Sequence, residues 1–190
     1  MIDPVKITNF KSTKKDLEEV LLFWVCAAGK TAKTASRALE ALLIAQEIRK
    51  SPFEAIKKIG KRRLPGLLKK YGIGCYNQKA RSMWELVNSK FNLKTCSVED
   101  LETIYGIGRK TSRCFILHTR KLARCAGLDT HVLKFLRDKG YDAPKQTPSS
   151  KKKYLELEEA FIVEKDKEMP GKPVADFDLA IWKEYSGNLK

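Results

Sequence analysis

Apolar residues recur at three- and four-residue steps along almost the whole of this chain, and no segment keeps the two-residue alternation of a strand beyond a few positions. That pattern commits the chain to helices that each bury one stripe against their neighbours, an all-α fold. Ser12 or Thr13 can cap a first helix whose stripe is Leu17, Val20, Leu21, Trp24, Val25 and Ala28, ended by Gly29. Ala35, Ala38, Leu39, Leu42 and Leu43 mark a second helix, running to about Arg49. Pro52 opens a third with Phe53, Ile56 and Ile59 inward, and Pro65 starts a short fourth that reaches Tyr71. A helix from about Asn77 turns Ala80, Met83, Trp84 and Val87 inward. Ser97 to Asp100 forms a weakened capping box, with Asp where Glu is usual, ahead of a helix over Leu101 to Tyr105. Residues 140–153 are polar, carry Pro144 and Pro148, and read as a surface connection; helix resumes at Tyr154 and again at Asp176.

At 190 residues the chain suffices for one compact unit or for two small lobes that share a cleft. Lysine and arginine number 38 against 23 acidic residues, a net charge of +15. Such an excess implies a polyanionic partner, nucleic acid before anionic membrane. The longest apolar run, Val20 to Ala28, is nine residues and too short to span a bilayer. Met1-Ile2-Asp3 begins no basic-then-apolar leader, so no signal peptide is expected. Cys26, Cys75, Cys96, Cys114 and Cys125 are odd in number, at spacings of 49, 21, 18 and 11, which is neither a metal-ligand pattern nor a disulfide framework. Free thiols in a reducing, intracellular compartment are the expectation.

Tyr-Gly-Ile-Gly occurs twice, at 71–74 and at 105–108, each time as a tight glycine turn before a helix. In the second copy Gly106 and Gly108 permit positive φ and close approach of a ligand, while Ile107 between them can pack inward. The helix that follows, opening Arg109-Lys110-Thr111, presents unpaired N–H groups suited to phosphate. Backbone contacts of that kind hold nucleic acid without reading its sequence. An ordinary helix–helix turn with a glycine C-cap is the bland alternative. At this helix start the macrodipole and the cations Arg109 and Arg113 disfavour a further positive charge on Lys110. An amine with a reachable neutral form can attack a sugar carbon and form a Schiff base. Nineteen residues on, Leu128-Asp129-Thr130-His131-Val132 opens an apolar run through Leu136. Asp129 suits a helix N-cap; it also suits a carboxylate that stabilises an oxocarbenium ion opposite an amine. His131 reads as packing or capping.

Leu101 to Ser112 followed by Leu128 to Val132 resembles the helix-hairpin-helix–Gly–Pro–Asp superfamily of DNA glycosylases, which includes endonuclease III and the 8-oxoguanine glycosylases. The resemblance spans nearly the whole chain: Leu21 to Ala41 is similar to the family's first barrel helices, and Tyr76-Asn77-Gln78-Lys79-Ala80 to its Tyr-Asn-x-Lys-Ala turn. It implies a two-lobed fold. A helical barrel would cover about 10–122, with the hairpin at about 98–118, and a second helical lobe would combine 1–9 with 123–190. Lys110 matches the lysine that attacks C1′ in bifunctional members, and Asp129 their catalytic aspartate. Gly106, Ile107, Gly108, Lys110 and Thr111 match the phosphate grip. Members related to endonuclease III end in four cysteines around an iron–sulfur cluster; no cysteine follows Cys125, so no cluster, metal or other cofactor is expected.

The C-terminal part resembles instead the archaeal-type 8-oxoguanine glycosylases, through Tyr154 to Glu158, Asp178 to Trp182 and Gly187 to Lys190. In that class the terminal lysine carboxylate helps recognise the oxidised purine, which implies Lys190 and Trp182 beside the base. Thr130 departs toward endonuclease III, and the tail after Trp182 is one residue shorter. Gln78 is the candidate wedge, whereas Phe23, Trp24 and Trp84 fit core positions. The expected activity is that of a monomeric, bifunctional DNA glycosylase and AP lyase of base-excision repair, acting on double-stranded DNA with a damaged base or an abasic site and removing 8-oxoguanine first. Oxidised pyrimidines are the alternative substrate, and a non-enzymatic helix-hairpin-helix module that merely holds DNA is the alternative class.

Overall fold

A computed structural model describes residues 2–45 and 51–187. Among them lie a 3-10 turn at Pro4–Lys6 and ten α-helices, with no strand. The first five are α1 Lys14–Ala27, α2 Ala32–Ile44, α3 Pro52–Ile59, α4 Leu64–Lys70 and α5 Tyr76–Asn88. The hairpin pair is α6 Val98–Glu102 and α7 Arg109–Thr119, and α8 Thr130–Asp138, α9 Lys151–Glu168 and α10 Val174–Tyr185 complete the chain.

Local chemistry sets most of these boundaries. Thr13 starts α1 with a reciprocal box: its hydroxyl accepts from the Asp16 N–H, and Asp16 accepts the Thr13 N–H at 2.8 Å. Ser97 and Asp100 close the same box at α6, so the shorter acid completes what its sequence suggested only in weakened form. Two starts come earlier than their apolar stripes indicate. Ser150 caps α9 through the Lys153 N–H, which makes the lysine run 151–153 an exposed first turn rather than loop. Pro173 precedes α10, which begins at Val174 instead of Asp176.

The apolar side chains form two cores. One gathers residues of α1 to α5 with Leu101, Ile104, Ile107, Phe115 and Ile116. The other joins α8, α9 and α10 to Leu117, Ala126 and Leu128. Helix α7 feeds both, Ile116 into the first and Leu117 into the second, and every residue from Thr111 to Thr119 is buried. The N-terminal segment straddles the two: Ile2 and Ile7 pack in the first core and Phe10 against the second. Asn9 N–H donates to the His118 carbonyl at 2.9 Å and holds this segment along α7.

The end of α1 is fixed by a buried lysine. Lys79 Nζ donates to the carbonyls of Cys26 at 2.7 Å and Ala28 at 2.8 Å, occupying acceptors that the helix end leaves free. Burial pulls this amine below the ordinary lysine range.

Burial also governs the thiols. It pushes Cys26 and Cys125 up to about 12 and raises Cys96 and Cys114 as well, whereas Cys75 is exposed at the start of α5. Since the thiolate is the reactive form, a chromogenic thiol reagent at pH 8 is expected to label one cysteine quickly in the native protein, Cys75, and all five after unfolding. A Cys75→Ser variant that keeps a fast-reacting thiol would contradict this burial pattern.

Candidate active site

The turn between α6 and α7 lies close against α5. Gly106 has φ +76°, and a Cβ on it would stand 2.5 Å from Ser82 Oγ, so both conformation and space require glycine. Ile107 is buried in the first core and pins the turn. Gly108 differs from the expectation of positive φ: it is extended at φ −96°, ψ −179°, and a Cβ there would meet open space. Its role is to begin α7 without a capping side chain, leaving the first-turn N–H groups of the helix without a side-chain cap.

A cleft of about 790 Å³ opens beside that helix start. Its walls include Gly108, Lys110 and Thr111 from the turn and α7, Asp129 and His131 from the start of α8, and Trp182 from α10. The structure therefore brings Lys110, Asp129 and Trp182 to one cavity. Gly106, Ile107 and Gln78 do not line it; Gln78 is exposed on the first turn of α5. Lys190 lies outside the described residues.

Asp129 is both cap and cleft residue. Its Oδ1 accepts the N–H groups of His131 at 2.8 Å and Val132 at 2.9 Å, which anchors the carboxylate at the helix start. Oδ2 has no protein partner among the described residues, so capping engages one oxygen and leaves the other for the cleft. His131 contributes its backbone N–H to this cap.

Gly127 brings this segment onto α7. A Cβ on Gly127 would collide with the Cys114 sulfur and stand 3.5 Å from the Lys110 carbonyl oxygen. No larger residue fits without pushing Asp129 away from the helix that carries Lys110. A buried ion cluster braces the same approach. Arg113 donates through Nε to Glu158 at 2.7 Å and through Nη1 to Glu102, while the same Glu158 oxygen accepts the Ala126 N–H at 2.8 Å. Tyr154 adds two bonds, accepting from Leu128 N–H at 3.1 Å and donating to the Ala126 carbonyl at 2.8 Å. Burial raises the Glu158 carboxyl against the opposing pull of Arg113 and the Ala126 N–H. Arg113 thus ties α6, α7, α9 and the strap ahead of Asp129 into one unit.

Three further cleft residues escaped the sequence. Trp24 is half-buried: it packs against the first core, as its position predicts, and also lines the cavity; its indole stacks on His118 with centroids 5.6 Å apart and planes at 17°. His118 is held between Thr8 Oγ1 at 2.8 Å and Asp178 Oδ2 at 3.2 Å, and Asp178 also borders the cleft. Lys110, Cys114 and His118 sit four residues apart on one face of α7, and that spacing was the signal available beforehand. Trp24 gave none, because an indole on an apolar stripe looks the same whether it meets core or cavity. No group of three or more His, Cys, Asp or Glu side chains able to hold a metal occurs among the described residues.

A model of a family described as 8-oxoguanine DNA glycosylase matches residues 2–167. The chain belongs to that family. Among solved structures it is similar to the 8-oxoguanine DNA glycosylase of Thermotoga maritima, with 25% identity and a TM-score of 0.70 over 96% of this chain and 86% of that one. The 8-oxoguanine DNA glycosylase of Methanocaldococcus jannaschii shares the fold at 20% identity and a TM-score of 0.72, covering 96% and 84%. The same archaeal organism's 8-oxoguanine glycosylase/lyase, solved with a 15mer DNA containing 8-oxoguanine, matches at 22% identity and a TM-score of 0.66 over 93% and 84%. The family placement agrees with the helix-hairpin-helix resemblance, and the fold matches on both sides of the cleft.

Two substitutions test how the site is held. Gly127→Ala is expected to cost about 1–3 kcal/mol of stability by overpacking, and Cys114→Ala in the same chain to recover part of it because the two share one space. Additive losses in urea unfolding would show that the contact is not the cause. Arg113→Met leaves the buried Glu158 carboxylate without its ion-pair partner, and the half-buried Glu102 as well, and is expected to cost about 3–5 kcal/mol in the same measurement.

Proposed function

We infer that the chain is a bifunctional DNA glycosylase and AP lyase of base-excision repair that removes 8-oxoguanine from double-stranded DNA. The observation that carries this reading is the convergence of Lys110 from α7 and Asp129 from the start of α8 on one cleft, in a member of the 8-oxoguanine DNA glycosylase family. The lobes it implies are about 10–122 and 1–9 with 123–190, and the protein acts as an intracellular monomer without a cofactor.

The net charge of +15 draws the duplex in, and the turn Gly106-Ile107-Gly108 with Lys110 and Thr111 takes a backbone phosphate at the open start of α7. The damaged nucleotide swings into the cleft, and unstacking is cheapest at a lesion. Lys110 Nζ attacks C1′; the bond from C1′ to the base breaks, and its electron pair leaves with the base, which takes up a proton. Asp129 faces the positive charge that develops on the sugar with the oxygen its cap does not use. Opening of the sugar ring converts the C1′–N bond to a Schiff base. Loss of a C2′ proton then expels the 3′ phosphate by β-elimination, and water releases Lys110. Trp182 offers an aromatic wall for the base, Lys190 its terminal carboxylate, and Gln78 fills the vacated stack.

Borohydride trapping on oligonucleotides tests the reading. Wild-type protein is expected to cross-link to an 8-oxoguanine duplex, and Lys110→Gln to lose the cross-link while still binding DNA. Retention of the cross-link by that variant would assign the nucleophile to another amine, and trapping only on a thymine glycol duplex would reverse the substrate order. Deletion of Lys190 is expected to slow 8-oxoguanine excision more than nicking at a ready-made abasic site; equal slowing removes the terminal carboxylate from base recognition.

A further inference from the structure

The second Tyr-Gly-Ile-Gly turn carries one feature that the proposed chemistry does not use. Tyr105, at its first position, is 39% exposed beside the glycine turn. The guanidinium of Arg81, from α5, lies over its ring with Cζ 3.8 Å from the centroid. Glu85, one turn further along α5, holds both partners: Oε1 accepts Arg81 Nε at 2.8 Å and Oε2 accepts the Tyr105 N–H at 2.9 Å. With each oxygen engaged, the Glu85 carboxyl is kept below the ordinary carboxylate range, first by Arg81 and then by the Tyr105 N–H.

Stability does not explain this arrangement well. The Arg81 side chain is 59% exposed, and an exposed i,i+4 ion pair contributes only a little to a helix. The geometry does something else, which is to orient the arginine. Stacking fixes the plane of the guanidinium and the Nε bond fixes its rotation, while the two Nη groups have no protein partner among the described residues. A planar fork already ordered in this way loses little entropy when it meets an anion. Gln78 and Arg81 stand three residues apart on α5, and Ser82 of the same helix abuts Gly106, so this face of α5 and the glycine turn form one continuous surface. The other copy of the repeat also carries a cation on its tyrosine, Lys70 over Tyr71 at 5.7 Å, but the carboxylate brace belongs to the second copy among the described residues.

We propose that Arg81, laid on Tyr105 and oriented by Glu85, is a second phosphate contact that extends the hairpin's hold on the DNA backbone to a neighbouring phosphate. This rests on the reading of the hairpin as a DNA grip. The contact is sequence-independent, and its signature is electrostatic.

The experiment is equilibrium binding of the full chain to a fluorescein-labelled duplex containing a reduced abasic site, by anisotropy, from 50 to 200 mM KCl. Loss of one phosphate contact lowers the slope of log K against log[KCl] by about 0.9, so Arg81→Ala is expected to weaken about 3.5-fold less than wild type across that four-fold salt range, from a lower starting affinity. Arg81→Lys keeps the charge and is expected to retain the wild-type slope with reduced affinity. Should Arg81→Ala fail to fold by circular dichroism, Arg81→Gln, which keeps the stem over the ring, serves in its place. A slope identical to wild type in the charge-removing variant overturns the proposal and leaves Arg81 as a brace between α5 and the hairpin. Wild-type protein that does not bind the duplex would overturn the DNA-grip reading itself.

Discussion

Helix α7 is buried from Thr111 to Thr119, shared by two apolar cores with one face turned to the cleft, and the rest of the site depends on that burial. A helix enclosed in this way has no freedom to roll or slide without stripping Phe115 and Ile116 from one core or Leu117 from the other. Its one open end is the start, where Gly108 supplies no cap and Lys110 enters the cleft. Rigidity behind and openness in front suit the role of nucleophile proposed for Lys110, because such a nitrogen must be placed by something other than its own flexible stem.

The opposing carboxylate is placed by a different device. Asp129 is set by the cap it makes, by the missing side chain at Gly127 and by the Arg113–Glu158 pair that anchors Ala126. Each element limits a separate movement: the cap fixes the carboxylate, the glycine fixes the distance to α7, and the ion pair fixes the strap against α9. The two readings of Asp129 that its sequence allowed are thereby compatible, since one oxygen serves the helix and the other faces the cavity.

Much of this was legible in advance where the information is local. Helical periodicity, the glycine turn with its inward isoleucine, and the spacing from Lys110 to Asp129 are properties of short windows, and each maps onto an observed element. The parts that escaped are long-range. Arg113 and Glu158 are 45 residues apart, and neither shows in its own window that it is buried with a partner. Trp24 carries the periodicity of a core residue and packs as one, but its window does not show that the same ring also borders the cavity. Local differences are of another kind: Asp100 completes a capping box that its short side chain announces only weakly, and the lysines at 151–153 form a helical first turn that their charge conceals.

One consequence of the shared helix concerns the mechanics of the encounter. Jaws whose hinge is a packed interior have little capacity to close around a guest, so the groove meets its target with its shape already set. Under the proposed function, any curvature needed for a tight fit comes from the DNA, and base steps that kink easily are accommodated most readily.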